Sequence, residues 1–280
     1  MVVADIIYEN PDGREYGEDL RGGTLQDFER ASTQIPVTEA AVKAQYIMGL
    51  VYTKGYERWG VERDLDQGLT LLQSAWKNGA ADAGYTLAHI YLQGLGVTRD
   101  SELALEYLRE SSNMGFLLSL RELGRAYIGE EEDWEDQVGQ DVSCGLALLE
   151  RAANSGDLKS AMSLASIYAK GELVEKDFVA AREWTYKWAE SQYGTDPNAF
   201  SWLARFYEQG LGVGRDLVQA YKFYDLMDPA GADGKARLAE EMTDEQIAEA
   251  IRQSRAWQEE HNTFVPSYYN LEYQEDGSFR

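Results

Sequence analysis

Two histidines, His89 and His261, and a single cysteine, Cys144, are the residues of this 280-residue chain best suited to act as a base or a nucleophile. Either role needs a second group close by to orient or activate the first. No His-x-x-Glu-His or Cys-x-x-Cys spacing occurs, so neither a transition-metal site nor a redox pair has a scaffold. Cys144 falls in the first turn of an expected helix, a position that can lower a thiol pKa, but a small packing residue is the simpler reading. His89 reads as a surface or packing histidine. Gly210-Leu-Gly-Val-Gly214 and Gly94-Leu-Gly96 have the look of phosphate loops. Such loops follow a strand, whereas these follow a helix, and a carboxylate (Asp216 or Asp100) stands where the anion would bind. The expectation is no catalytic residue, no cofactor and no metal.

Recognition chemistry is better represented. Residues 129–141 carry seven acids and no base, with Trp134 in their midst. Glu131, Glu132, Asp133, Glu135 and Asp136 can meet a basic partner surface, with Trp134 as an apolar anchor. A divalent-cation role is disfavoured, because the spacing of a calcium loop is missing. The whole chain has 49 acidic and 26 basic residues, a net charge of −23. That charge repels a phosphate backbone and an anionic membrane surface. It suits a basic protein partner, and no apolar stretch approaches the length of a membrane span. With 44% hydrophobic and 12% aromatic residues the chain folds.

The elements that would position these residues recur. Five windows read small-x-x-x-Leu/Met-Gly/Ala-x-x-Tyr, then a glycine loop, an Asp and an amphipathic run closed by Gly. Their tyrosines are Tyr52, Tyr91, Tyr127, Tyr168 and Tyr207, and their acids are Asp64, Asp100, Asp141, Asp177 and Asp216. A fixed period of this size marks a solenoid. Leu and the Tyr four residues on share one helix face. The Gly or Ala beside the Leu admits a neighbouring helix. The Asp is an expected N-cap of the second helix, and glycines 79, 115, 156, 194 and 231 are expected to close it. The repeat tyrosines, with Trp184 and Trp188, are expected in the core. In a curved solenoid the first helices line the concave face. Positions offset by two from the core Leu then present Tyr46, Tyr85, His89, Arg121, Arg125 and Arg205, with Trp202 beside them, as a second candidate protein-binding stripe.

Tyr91-Leu-Gln-Gly-Leu-Gly-Val-Thr-Arg-Asp100, Tyr207-Glu-Gln-Gly-Leu-Gly-Val-Gly-Arg-Asp216 and Leu149-Glu-Arg-Ala-Ala-Asn-Ser-Gly156 resemble the Sel1-like repeat family, relatives of tetratricopeptide repeats. The resemblance covers about residues 40–231. It departs in the first loop, lengthened around Trp59, in the third, lengthened more, and in the fourth, which lacks a second glycine. It implies an all-α, right-handed solenoid of about five helical hairpins and a non-enzymatic, protein-binding role. Within such a family it implies a bacterial immunity protein that sterically blocks a secreted toxin or effector such as a phospholipase. The alternative is a general adaptor, scaffold or signalling regulator of a protein assembly. An enzyme acting on peptidoglycan or β-lactams is disfavoured, because the paired cysteines of such relatives are missing.

The flanks read differently. Residues 4–19 suit a short hairpin about Asn10-Pro-Asp-Gly13, and Thr24 caps a helix to about Gln34, giving an N-terminal segment 1–35 before a repeat region 36–231. Thr243-Asp-Glu-Gln246 is a capping box that opens a terminal helix to about Glu260, within a capping segment 232–261. The aromatic, acidic tail 262–280 is expected to pack back on the solenoid. The N-terminus lacks the basic and long apolar regions of a signal peptide, yet Val2 and Ala4 fit the end of a cleaved one. Cytoplasm and periplasm of a bacterium therefore both fit.

Overall fold

The computed structural model describes residues 25–34, 37–134, 136–189 and 196–269. The expected hairpin at 4–19, the Thr24 cap, Gly194 and the tail beyond Tyr269 lie outside them. Among the described residues the elements are thirteen α-helices and three 3-10 turns, with an isolated Tyr56–Val61 bridge as the extended pairing. The protein is an all-α solenoid of helical hairpins. It divides into two compact units, Met1–Asp157 and Leu158–Arg280, a division that falls inside the expected 36–231 repeat region.

The first unit holds α1 (Leu25–Ser32), then the hairpins α2 (Glu39–Lys54) with α3 (Leu65–Lys77), α4 (Ala81–Gln93) with α5 (Ser101–Asn113), and α6 (Leu117–Ile128) with α7 (Val142–Asn154). The second holds α8 (Leu158–Lys170) with α9 (Phe178–Ala189), α10 (Pro197–Gln209) with α11 (Leu217–Asp225), then α12 (Ala232–Ala239) and α13 (Asp244–Glu260). The Thr243 capping box forms as expected at the start of α13. The tail begins by folding back on that helix, with the Val265 amide donating to Gln258 Oε1 at 2.9 Å and the Tyr268 hydroxyl to Glu259 at 3.0 Å. Helix α12 is an addition to the sequence reading. Gly231 stands at its N-cap with φ −85, unlike Gly79, Gly115 and Gly156, which take φ +93, +93 and +98 as helix-closing glycines do.

Each hairpin is closed by one device. The five repeat aspartates accept the free amides of the second helix: Asp64 from Gln67, Asp100 from Leu103, Asp141 from Cys144, Asp177 from Ala180 and Asp216 from Gln219, at 3.0 to 3.1 Å. The backbone N–H of each Asp also donates to the carbonyl of its repeat tyrosine, at 2.8 to 3.0 Å. Both ends of every loop are therefore pinned, whatever its length. The extra residues of the first and third loops are extruded as single 3-10 turns, Glu57–Trp59 and Glu132–Trp134, each ending in tryptophan.

The repeat tyrosines are half-buried and not fully core. Their rings cover the hairpin edge while their hydroxyls stay polar. The Tyr91 hydroxyl accepts from Gln73 at 3.3 Å, Tyr127 from Arg109 at 3.5 Å, and Tyr207 shares a hydrogen bond with Tyr186 at 2.8 Å. Each of these partners lies on the second helix of the preceding repeat. In the first repeat the Tyr52 hydroxyl reaches Glu29 of α1 at 3.1 Å. Helix α1 thus takes the place that a preceding second helix has in the later repeats, with Leu25 and Phe28 packed on the apolar face of α2. Trp188 is buried as expected, while Trp184 is half-buried beneath Lys187.

Small residues set the spacing inside each hairpin. A Cβ at Gly49 would lie 2.7 Å from Leu72 Cγ, and one at Gly145 would lie 2.6 Å from Ile128 Cγ2 and 2.7 Å from the Gly124 carbonyl oxygen. The residue four beyond each cap (Gly68, Ala104, Gly145, Ala181, Ala220) is buried without exception. Because Gly145 faces backbone, a side chain there must force α6 and α7 apart. Gly145→Val is expected to cost about 1–3 kcal/mol by overpacking, read as a lower urea midpoint with an unchanged slope.

Candidate protein-binding site

The acidic third loop is seated on a buried polar cluster. Glu122, on α6, accepts from three side chains. The Tyr85 hydroxyl of α4 donates to Oε2 at 2.7 Å, His89 Nε2 lies 3.1 Å from the same oxygen, and the Trp134 indole N–H of the loop donates to Oε1 at 2.5 Å. Tyr85 and His89 pack edge-to-face with ring centroids 4.6 Å apart, and His89 and Trp134 lie at 6.4 Å. Trp134 is 0% exposed and Val138 5%, within the apolar cluster of Tyr85, Ala88, Leu92 and Leu123.

Electrostatics follow from burial and pairing. Burial pushes the Glu122 carboxyl up, but the hydrogen bonds and charge of His89, with those of Tyr85 and Trp134, outweigh it and hold the carboxyl below its ordinary value. Burial pulls His89 down, and the Glu122 contact, with the charges of Asp133 and Glu131, more than reverses this and leaves its pKa raised. Glu131 is raised by its own burial and by the nearby carboxylates of Glu122 and Asp133, against the opposing pull of Arg125. Arg125 pairs with Glu131 at 2.8 Å and Glu130 at 3.5 Å. Glu130, Glu132, Asp133 and Asp136 face solvent. The result is a loop anchored from within by one tryptophan and charged on its outer rim.

This arrangement corrects part of the sequence reading. Trp134 is no exposed anchor, because its ring fills the core and its N–H is committed to Glu122. Tyr46, Tyr85 and His89 are 2%, 8% and 7% exposed and offer nothing to a partner. The physical reason is that α2 and α4 are enclosed on most sides, so positions two away from the core Leu are interior as well. Arg121 is half-buried and committed to an ion pair with Asp157 at 2.7 Å. Arg125 is half-exposed and engaged with the loop, so the stripe does not exist as a free surface in the first unit. In the second unit Trp202 is half-buried against Trp188 and Phe206, and Arg205 is exposed. Glu135 lies outside the described residues. The Cys144 thiol, whose place in the first helical turn could have lowered its pKa, is instead pushed up by burial and by the Asp141 carboxylate.

Glu122 went unnoticed in the sequence, although a signal existed. It occupies the repeat position just before the core Leu-Gly/Ala pair, where Ile47 and Thr86 are buried. A carboxylate at a buried register must be paired, so a search for its donors would have led to His89 and Trp134.

A family model described as Sel1 repeat matches residues 42–79, 81–116, 118–157, 158–193 and 201–227. The chain belongs to the Sel1 repeat family. Among solved structures, a Sel1 repeat protein from Oxalobacter formigenes matches with a TM-score of 0.58 at 19% identity, over 87% of this chain and 99% of the other. The protective antigen c5321 of uropathogenic Escherichia coli matches with a TM-score of 0.55 at 22% identity, over 88% of this chain and 54% of the other. These likenesses establish the fold. The chitin synthase regulator SKT5 of Saccharomyces cerevisiae is 30% identical over 194 residues, 65% of this chain. The Sel1 chain spans about a quarter of that relative, 26% of its length. Sel1 repeats build protein-binding solenoids, and this chain is one. Among the described residues no helix is long and apolar enough to cross a membrane.

Proposed function

We propose that this Sel1 repeat chain binds a protein partner with a basic surface, and that the outer rim of the third loop is where the partner's cations dock. The observation that carries this reading is the seating of the loop. Trp134 and Val138 are buried beneath Glu130, Glu132, Asp133 and Asp136, so the charges stand on an anchored base when the loop is seated. A preformed acidic surface loses little ordering entropy on binding, and it steers a basic partner from a distance. Arg205 and the partly exposed Trp202 of the second unit remain candidate contacts. Binding is preferred to catalysis because the buried histidine is committed to Glu122 and the lone thiol is pushed away from reactivity.

In its finer form the reading is an immunity protein, whose acidic loop covers the active site or membrane-docking face of a toxin enzyme. A second reading, a regulator of a protein assembly, is favoured by the name of the yeast relative, a chitin synthase regulator. The two differ in what a partner loses. Purified partner enzyme assayed with a stoichiometric excess of the chain should be silenced under the immunity reading. A partner that keeps its activity and assembles with further proteins supports the regulator.

A further inference from the structure

The Tyr85–His89–Glu122–Trp134 cluster joins an enclosed ionisable pair of the first unit to the loop that carries its densest charge. His89 Nε2 and the Trp134 indole N–H hold the two oxygens of one carboxylate. Any change in charge at His89 is therefore felt by the group that seats Trp134.

We propose that His89 is a proton-operated latch for the acidic loop: its imidazolium seats Trp134 and Val138 against α4 and α6, and loss of the proton releases them.

The charges around the site give the latch its direction. From α4 the neighbour is Tyr85, whose hydroxyl pKa is raised by burial and by the Glu122 carboxylate. From α6 they are Glu122 and Arg121, and from the loop Glu131 and Asp133. Arg121 is held by Asp157, and Arg125 by Glu130 and Glu131. The imidazolium is then the cation in direct contact with Glu122. Without it, the carboxylate keeps neutral donors only and faces two loop acids in a medium of low effective dielectric. The repulsion is relieved by moving the loop, because Glu122 is fixed in a helix and the loop is not. Opposing forces act on the proton of His89. Burial disfavours the cation, and His89 Nδ1 is buried without a hydrogen-bond partner, so the second N–H of an imidazolium has no acceptor. The latch concerns the loop alone, and its failure would leave the partner-binding reading intact.

Amide hydrogen exchange of the full chain between pH 6 and 9 tests this, with rates over residues 129–141 divided by their intrinsic values. The His89 titration is followed by NMR in the same samples. Protection of the loop should fall about tenfold across the His89 midpoint, while peptides from 158–189 stay constant. In His89→Gln, whose amide can still donate to Glu122 without a charge, protection should be low and independent of pH. A loop whose protection is flat through the His89 titration overturns the proposal, as does a His89→Gln protein that follows pH as the wild type does. Should that variant fail to fold, the coincidence of the two wild-type midpoints decides alone.

Discussion

Trp134→Ala is expected to cost about 3–5 kcal/mol of stability, the range for truncating a fully buried large aromatic side chain. The indole is wholly enclosed by Tyr85, Ala88, Leu92 and Val138 and its neighbours, so its removal leaves a cavity that two packed helices cannot close. It also strips Glu122 Oε1 of its donor, adding the desolvation cost of a buried oxygen left unpaired. Trp134→Phe separates the two effects. It keeps most of the apolar volume and loses the N–H, so its cost should be about 1–3 kcal/mol. Urea unfolding of both variants measures this. A loss below about 1 kcal/mol for the alanine variant would mean that the ring is not core. A solvating insertion has no use for such a residue, whereas a loop that must hold its charges in a fixed position does.

Glu122→Ala is expected to cost a similar amount, about 3–5 kcal/mol, when His89 is charged, because breaking a buried pair strands the partner ion. The pH dependence follows from the directions of the two shifts. Glu122 titrates below its ordinary 4.5 when folded, so its contribution is full above 4.5 and is lost as pH falls through the folded value. His89 titrates above its ordinary 6.5, so its contribution is full below 6.5 and is lost as pH rises through the folded value. The pair therefore stabilises most between about pH 4.5 and 6.5. The cost of Glu122→Ala should be largest in that window and should shrink toward pH 9. Denaturant midpoints of wild type and variant at pH 5, 7 and 9 report it. A cost that is constant with pH would show that His89 is uncharged in the folded protein throughout.

The fold was legible because its determinants are local and repeated. Small-Leu-Gly/Ala-Tyr spacing writes one helix face, the Asp writes the start of the next helix, and five copies make the pattern specific. The capping box at Thr243 was legible for the same reason. The site was less so. Whether Trp134 points outward or inward depends on a carboxylate twelve residues away and on a histidine one repeat earlier. No spacing rule within a loop encodes those contacts. The stripe on the first helices failed on enclosure: two residues from the core Leu is a free face for a helix packed on one side, but α4 is covered on several. Tyr85 and His89 were picked out by their helical offset as surface contacts, and their side chains instead meet Glu122 beneath the loop. They act from beneath it, supporting the loop through Glu122, and not as its surface.

The central claim is that the loop's outer rim recognises a basic protein, and affinity measures it most directly. Glu132→Lys, Asp133→Lys and Asp136→Lys together reverse the exposed charges and spare Trp134, Val138 and Glu122, so the variant should unfold at nearly the wild-type denaturant concentration. The partner is captured on the full chain, purified and titrated against both proteins by calorimetry at low and at physiological salt. The account predicts that the reversed loop weakens binding by at least about tenfold and that wild-type affinity falls as salt rises. Equal affinities for the folded variant and the wild type, with no dependence on salt, would contradict it.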